Sequence, residues 1–369
     1  MEEPILEFID SWWLEVSKRE CGVWVVVPHL PNWVNDKLLI EMQQSLLDEL
    51  FEEYAIAAPI LWYYTPMAMA FSAHVRSSVI VYDCMDELSA FRGASPELRI
   101  WEKQLFERAD VVFTGGHSLY EVKRHQHENV HAFPSSIDVA HFAQAKTMEE
   151  EPEDQVNIPH PRLGFYGVVD ERMDLELLDE IAQARPDWHL VIIGPVVKID
   201  PETLPNHPNI HYLGGKSYQE LPNYLAGWDV ALLPFARNES TRFISPTKTP
   251  EYLAAGKPVV STSIRDVVRP YGEQGLVKIA DTASEFVAAI ESIFQTKSAN
   301  ADWREQVDAF LSQMSWDKTW TSMVQKIELV IENRTATKAL DSASNATLER
   351  IFDGKSSQLQ TLKTFQNKS

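Results

Sequence analysis

Short apolar runs alternate with amphipathic stretches along most of this chain. The runs lie at 24–28, 59–64, 79–83, 111–114, 130–133, 162–167, 189–194, 210–214, 230–235, 258–262 and 276–280. They are rich in Val, Ile and aromatic residues and do not alternate strictly with polar positions, which is typical of strands covered on both faces of a parallel sheet. The stretches between them indicate helices, so the chain consists of βαβ units. We therefore predict an α/β fold with doubly wound parallel sheets.

An acidic segment with prolines separates the first five runs from the last six. It spans residues 143–161, with five acidic side chains between Glu149 and Asp154, followed by Pro159 and Pro161. Like charges in a short, proline-containing stretch favour an extended and solvated backbone. We predict that this segment is a solvated linker between two domains.

The linker divides a chain whose 369 residues exceed the usual size of a single core. The predicted domains are residues 1–142 and 162–333. Both are Rossmann-like and face a cleft, because such sheets bind ligands at the carboxyl ends of their strands. An apolar helical stripe at 316–333 is expected to close the second domain. Residues 334–369 are predicted to be a polar tail with one helix at 346–354.

The charge and cysteine content exclude several classes of function. There are 33 Lys and Arg against 54 Asp and Glu, a net charge of −21. Such a surface repels phosphate backbones, so we predict no nucleic-acid partner. With only two cysteines, Cys21 and Cys84, the chain has no disulfide framework, which suits a reducing cytosol. The acidic N-terminus is unlike a signal peptide, and prolines interrupt the apolar stretch from Ala57, so we predict a cytoplasmic protein.

Two short motifs match known sites but stand in the wrong context. HENVH at 127–131 matches a zinc-protease pattern that needs both histidines on one helix, whereas Asn129 and Val130 indicate a turn entering a strand. GGKS at 214–217 resembles the end of a phosphate-binding loop, but the first glycine of that loop would fall at Ile210, inside a strand. We predict neither site, and the chain has no G-x-G-x-x-G motif for a dinucleotide.

The sequence SPTKTPEYLAAGKPVVST predicts a short helix with a charged beginning. Thr249 suits the N-cap, Pro250 suits the first helical position, and Gly256 can end the helix. A helix N-terminus carries partial positive charge and free N–H groups, and Lys248 adds a full charge. Glu251 accepts hydrogen bonds, so it suits sugar hydroxyls. The alternative is a well-capped helix with a solvated lysine.

A second segment, GFYGVVDERMD at 164–174, repeats the order of strand, glycine turn and helix start. Arg172 lies in it at a position from which it could reach an anion. Since both segments follow strands of the same predicted sheet, we expect their cations to meet at one edge. Two cationic helix starts at one edge suggest a single diphosphate bound between them.

Carboxylates also follow a strand of the first domain, in YDCMDE. Asp83 and Asp86 lie at the carboxyl edge of the predicted sheet, which favours a role in the cleft, while helix capping and loop hydrogen bonds are the alternative. Their spacing differs from the D-x-D pattern of metal-dependent sugar transferases. We therefore predict no metal.

Taken together, these motifs resemble GT-B glycosyltransferases, especially the retaining family four (glycosyl transferases group 1). The match runs over roughly residues 80–330 through GFYGVVDERMDLELL, HLVIIGP, NIHYLGGKSYQELPNYLAGWDVALLPF and PTKTPEYLAAGKPVVST, with ERADVVFTGGHSLYEVK and VHAFPSSIDVAHF in the first domain. The resemblance implies two Rossmann-like domains that face a cleft and a donor site in the second of them.

The resemblance also implies roles for individual residues. Glu251 matches the second of two family glutamates eight positions apart, the one expected to hold the donor ribose, whereas the first falls at Phe243. An arginine of the family falls at Val168, and its following lysine corresponds approximately to Arg172. Gly167 allows the backbone to approach phosphate closely. The predicted donor-site residues are Gly167, Arg172, Ser245, Pro246, Thr247, Lys248, Thr249 and Glu251.

The implied function is transfer of a sugar from a UDP- or GDP-linked donor to a glycan, lipid-linked or small-molecule acceptor. By resemblance the transfer retains the anomeric configuration, needs neither metal nor separate cofactor, and serves bacterial cell-surface polysaccharide synthesis. Asp83, Asp86 and His117 are candidates for acceptor contacts or proton transfer. Two alternatives stay open, a catalytically inactive nucleotide-sugar-binding or partner subunit and a sugar-nucleotide epimerase. Peripheral association with the inner membrane and the oligomeric state also stay open.

The front of the first domain departs from the family pattern. Family members begin with a strand, a glycine-containing loop and a helix that help form the acceptor side. Here about 22 residues without such a loop precede the run at 24–28. We therefore expect a shortened first domain.

Overall fold

A computed structural model describes residues 1–91, 93–296 and 301–337. Its strands are β1 (Ile5–Glu7), β2 (Trp13–Lys18), β3 (Trp24–Pro31), β4 (Ile60–Tyr63), β5 (Val79–Cys84), β6 (Val111–Thr114), β7 (Val130–Ala132), β8 (Arg162–Tyr166), β9 (His189–Ile193), β10 (Ile210–Tyr212), β11 (Val230–Leu233), β12 (Val259–Ser261) and β13 (Lys278–Ile279). Each of the eleven predicted runs overlaps one of the strands β3 to β13, which confirms the α/β assignment.

Helices fill most of the connections between these strands. They are α1 (Asp36–Glu53), α2 (Met69–Ser72), α3 (Leu98–Arg108), α4 (His117–Lys123), α5 (Val139–Ala143), α6 (Leu175–Ala184), α7 (Leu221–Ala226), α8 (Lys248–Ala254), α9 (Arg265–Val267), α10 (Ala283–Gln295), α11 (Ala301–Leu311) and α12 (316–337). Within the described ranges, none of them is long and apolar enough to cross a bilayer.

The second sheet is parallel throughout and has the order β10-β9-β8-β11-β12-β13. The direction of winding reverses between β8 and β11, and a crevice outside the carboxyl ends of two such strands is the usual ligand site of an open α/β sheet. Gly164 of β8 has no room for a side chain, because an added Cβ would lie 1.9 Å from the Trp228 ring. Glycine at this position therefore allows the Trp228 ring to pack directly on β8.

The first half of the chain contains two sheets. Strands β4-β5-β6-β7 form a parallel sheet, and β1-β3-β2 form a smaller one in which β1 runs parallel and β2 antiparallel to β3. The run at 24–28 belongs to β3, which leads through a short loop into α1, whose N-cap is Asn35. The strands β1 and β2 escaped prediction because they are short and largely exposed, so their side chains lack the apolar run of a buried strand.

The segment between the domains is not solvated throughout, contrary to expectation. Glu151 pairs with Arg162 at 2.6 Å, and Asp154 pairs with Lys216 at 2.6 Å. Gln155 is fully buried and bonds to an indole N–H and a backbone carbonyl of the second half. Two of the five acidic side chains thus have cationic partners in the fold, which the local charge count could not show.

Helix α12 packs on the first sheet rather than on the second, so the expectation that it closes the second domain was wrong. Its side chains Met323 and Ile327 form one buried cluster with Val79, Val111 and Phe113. The apolar stripe was predicted correctly, but periodicity along a helix does not say which sheet that stripe covers. The helix predicted at 346–354 lies outside the described residues.

Candidate functional site

The turn after β8 and the first residue of α8 meet at the switch point of the second sheet. Gly167 has φ +137°, and a Cβ added there would lie 2.3 Å from Cε and 2.8 Å from Nζ of Lys248. The Lys248 side chain therefore lies directly against the Gly167 backbone. Both the positive φ and this contact require glycine at position 167.

Lys248 is a cation held in a poorly solvated position. Its Nζ lies 5.8 Å from the centroid of the Phe165 ring, and burial lowers the pKa of the ammonium. The charge of Glu251 partly offsets this shift, yet Lys248 forms no ion pair with any residue that the structure describes. A desolvated cation without a partner of its own is suited to receive an anion.

Glu251 lies one helical turn further along α8 and is held by aromatic residues. The Tyr166 hydroxyl donates a hydrogen bond to its Oε2. Burial raises the pKa of Glu251, while that hydrogen bond and the charges of Lys248 and His141 oppose the rise. The His141 ring stacks on Tyr218 at 4.2 Å between ring centroids. A carboxylate beside stacked rings can accept hydroxyl hydrogen bonds next to an aromatic surface.

Helix α8 begins earlier than predicted. Its first residue is Lys248 and its N-cap is Thr247, so Thr249 is not the cap and Pro250 stands at the third helical position. The Thr249 side chain is fully buried, and its Oγ1 has no hydrogen-bond partner in the described part of the chain. The amide of Thr249 bonds to the carbonyl of Pro246 at 3.1 Å, so the turn from Ser245 to Thr247 already winds into the helix.

Arg172 is not a free cation, contrary to expectation. Its Nε and Nη2 donate to both carboxylate oxygens of Asp170 at 2.7–3.0 Å, and Asp170 is buried. The start of α6 is occupied as well, since Asp174 caps it by accepting the amide of Leu177. Two carboxylates of the segment DERMD therefore already occupy the second cationic helix start: Asp170 pairs with Arg172, and Asp174 caps α6.

Two residues of the first half face Arg172 across the cleft. Its guanidinium carbon lies 5.8 Å from the Phe91 ring centroid. Asp86 is half-buried, and burial raises the pKa of its carboxyl while the charge of Arg172 opposes that rise. Phe243 packs against the core of the first sheet. Asp86 thus lies within reach of the charge of Arg172, one of the predicted donor-site residues.

Asp83 lies deeper, in the buried layer behind the cleft. Its side chain is on the strand face of Val79 and Val81, and its Oδ2 accepts a hydrogen bond from Trp62 Nε1 at 3.1 Å. Only 4% of the residue is exposed, and burial raises the pKa of the carboxyl to about 6. The structure therefore separates the two carboxylates that the sequence placed together.

His117 occupies a different part of the cleft from Asp86. It is the exposed first residue of α4, and it lines a cavity of about 230 Å³ together with Ser245 and Asp266 of the second half. The HENVH motif forms no helix: His127 and His131 each bond to Asn129 in the turn before β7. Among the described residues, no group of three His, Cys, Asp or Glu side chains is arranged to hold a metal.

Sequence reasoning missed the aromatic part of this site. Tyr166 ends β8 directly before Gly167, so its place at the carboxyl edge of the sheet could have been inferred from the strand boundary. His141 and Tyr218 belong to α5 and to the loop before α7, far apart in sequence. Nothing in their local sequence indicates that they stack.

Comparison with known proteins agrees with this geometry. Residues 160–296 match the family described as glycosyl transferases group 1. TuaH of Bacillus subtilis, a protein assigned to teichuronic acid biosynthesis as a glycosyltransferase, is 28% identical over 277 residues, which cover 67% of each chain.

Solved structures show the same fold at low identity. A UDP-forming α,α-trehalose-phosphate synthase from Burkholderia vietnamiensis has a TM-score of 0.65 at 14% identity, covering 89% of this chain and 91% of its own. Sucrose-phosphate synthase from Thermosynechococcus elongatus has a TM-score of 0.63 at 15% identity, covering 86% of each chain. HepE from Anabaena, in complex with UDP and glucose, has a TM-score of 0.59 at 15% identity, covering 77% and 81%.

These likenesses confirm the resemblance seen in the motifs, and the parallel sheets with their switch point agree with it. The chain has the GT-B fold, and its residues 160–296 match the glycosyl transferases group 1 family, which supports a glycosyltransferase.

Proposed function

We propose that this enzyme transfers a sugar from a nucleoside diphosphate donor to a glycan or lipid-linked acceptor, with retention and without a metal or separate cofactor. The observation that carries the proposal is the desolvated Lys248 ammonium, held against Gly167 and one helical turn from Glu251. A small-molecule acceptor is the alternative to a glycan or lipid-linked acceptor.

The diphosphate would lie against Lys248. Its ammonium is already desolvated and positioned, so it stabilises the negative charge that develops on the leaving group without further rearrangement. The backbone amide of Gly167 is occupied by the carbonyl of Ile193 at 2.8 Å. The amide of Val168 donates to no group that the structure describes, so it is available for a phosphate oxygen beside Lys248.

The nucleoside would lie on the other side of Lys248, toward Glu251. A carboxylate accepts hydrogen bonds from the two ribose hydroxyls, and the Tyr166 hydroxyl fixes its orientation. The stack of His141 and Tyr218 offers an aromatic surface for the base. Solved relatives support a uridine donor, since HepE was crystallised with UDP, with UDP and glucose, and with UDP-glucose.

The acceptor would enter from the first half of the chain, beside Asp86. This carboxylate is half-buried and faces the donor side through Arg172, so it is the best placed of the three candidates to receive a proton from an acceptor hydroxyl. His117 is proposed to contact the acceptor or the transferred sugar near Ser245. The teichuronic acid assignment of TuaH supports a polysaccharide or its lipid-linked precursor as the acceptor.

Replacement of Glu251 by glutamine tests the donor site. We expect UDP to bind about 10–100-fold more weakly, because a charged acceptor facing buried hydroxyls is lost. Calorimetric titration of UDP and GDP into both proteins measures the effect. Glu291→Gln, on the exposed face of α10, is the matched control and should leave affinity unchanged. If Glu251→Gln binds UDP and GDP as tightly as the wild type does, the nucleoside binds elsewhere.

A further inference from the structure

Helix α4 of the first half is capped by a residue of the second half. Its N-cap is Gly116, which has no side chain to accept the first amides of the helix. Instead the amide of Ser118 donates to Oδ1 of Asp266 at 2.9 Å, in a buried contact across 148 positions of the chain. A carboxylate from another domain thus takes the role that Ser, Thr, Asp or Asn at the N-cap usually has.

Gly116 is required by space rather than by its backbone conformation. Its φ of −166° is extended and open to any residue. A Cβ added there, however, would lie 2.1 Å from Oδ2 of Asp266 and 2.9 Å from Cβ of Ser245. The two halves of the chain therefore touch through a position where even a methyl group would push them apart.

Burying the Asp266 carboxyl in this contact costs free energy in the folded state. Asp266 is 4% exposed, and burial raises the pKa of its carboxyl, which hydrogen bonding from Ser118 and the charge and backbone of His117 only partly offset. In the described part of the chain, Oδ2 of Asp266 and Oγ of Ser118 have no hydrogen-bond partner. An incompletely paired buried carboxylate costs free energy in the folded state.

A second pair bridges the same two helices and provides a comparison. Arg265, the neighbour of Asp266, binds both carboxylate oxygens of Glu121 in α4 at 2.5 and 2.7 Å. Both side chains are about half exposed, so water and salt screen the pair. It crosses the same interface but does not reach the first turn of α4.

We infer that Asp266 is a positioning residue, which ties the first turn of α4 to the second domain and so sets His117 against Ser245 in the catalytic arrangement. The inference rests on the proposed function, because it assigns to Asp266 the joining of the two domains that face the proposed active-site cleft. Asp266 is proposed to act through the position of His117 and not by contacting the donor. Its loss should separate catalysis from donor binding, since Lys248 and Glu251 lie in the second domain alone.

The test compares Asp266→Ala and Gly116→Ala with the control Arg265→Ala. We expect both test variants to lower kcat about 10–100-fold, because small misplacements of reacting groups have effects of this size. UDP affinity should stay within about threefold, and Arg265→Ala should stay within about twofold in both quantities. Asp266→Asn keeps an oxygen that accepts the Ser118 amide, so it should recover part of kcat.

Small-angle scattering provides a readout independent of activity. Asp266→Ala and Gly116→Ala should increase the radius of gyration of the UDP-bound protein, whereas Arg265→Ala should not. Unchanged kcat and radius in both variants would overturn the inference, as would a joint loss of UDP affinity and kcat. If the wild type binds neither UDP nor GDP, the proposed function fails, and the radius of the unliganded variants still decides whether Asp266 joins the domains.

Discussion

Replacing Lys248 by alanine is expected to lower kcat by a factor of about 10²–10³, the usual effect of removing one preorganised charge from a developing anion. The ammonium lies against Gly167, and burial lowers its pKa, so it is desolvated before any donor binds. Donor affinity should fall as well, because the ground-state diphosphate already carries negative charge. Initial rates with a UDP-sugar, together with calorimetric titration of UDP, measure both effects.

Stability distinguishes this loss from simple damage to the fold. Lys248 is partly buried and forms no ion pair among the described residues, so its poorly solvated charge costs free energy in the unliganded protein. Lys248→Met keeps the aliphatic stem and should therefore lose activity while its melting temperature stays the same or rises. Lys278→Ala, at an exposed position of the same sheet, is the matched control. Full activity of Lys248→Met would show that the diphosphate binds elsewhere.

The fold was predictable from sequence wherever burial alone decides the pattern of apolar residues along a strand. Strands such as β8 and β11 lie between helices on both faces, so their apolar runs mark them with little ambiguity. The exposed strands β1 and β2 have no such run and were missed. Helix α12 was found, but its partner sheet was not, because an amphipathic helix covers whichever apolar surface the rest of the fold leaves open.

The candidate site was predictable only to the level of its backbone. The order of strands and turns placed Gly167 and Lys248 at one edge, and they do meet there. Pairing between side chains was not predictable: Arg172 was expected to reach an anion, but its guanidinium is held by Asp170. Charged residues near a helix start can bind a ligand or each other, and their rotamers decide between the two.

Asp83 illustrates the same limit and provides a prediction of stability. Burial raises the pKa of its carboxyl to about 6, above its ordinary value. The native protein therefore binds this proton more tightly than the unfolded chain does, and the corresponding stability is lost as pH rises from about 4 to about 6. At about pH 8 Asp83→Asn should be more stable than the wild type by roughly 2–3 kcal/mol, since the amide carries no charge and can still accept the Trp62 bond. Urea unfolding of both proteins at about pH 4 and about pH 8 measures the difference in unfolding free energy, which should vanish at the lower pH.

Asp86→Asn should affect activity rather than stability. We expect kcat to fall by a factor of about 10²–10⁴, the range for loss of a general base. Burial raises the pKa of Asp86 above its ordinary value, and a base acts only when deprotonated, so kcat of the wild type should rise with pH through that pKa. This limb should disappear in Asp86→Asn and persist in Asp83→Asn, whose carboxyl is buried away from the cleft. A limb that is lost in Asp83→Asn and kept in Asp86→Asn would assign the proton transfer to Asp83, and with it a motion that opens the layer beneath Trp62.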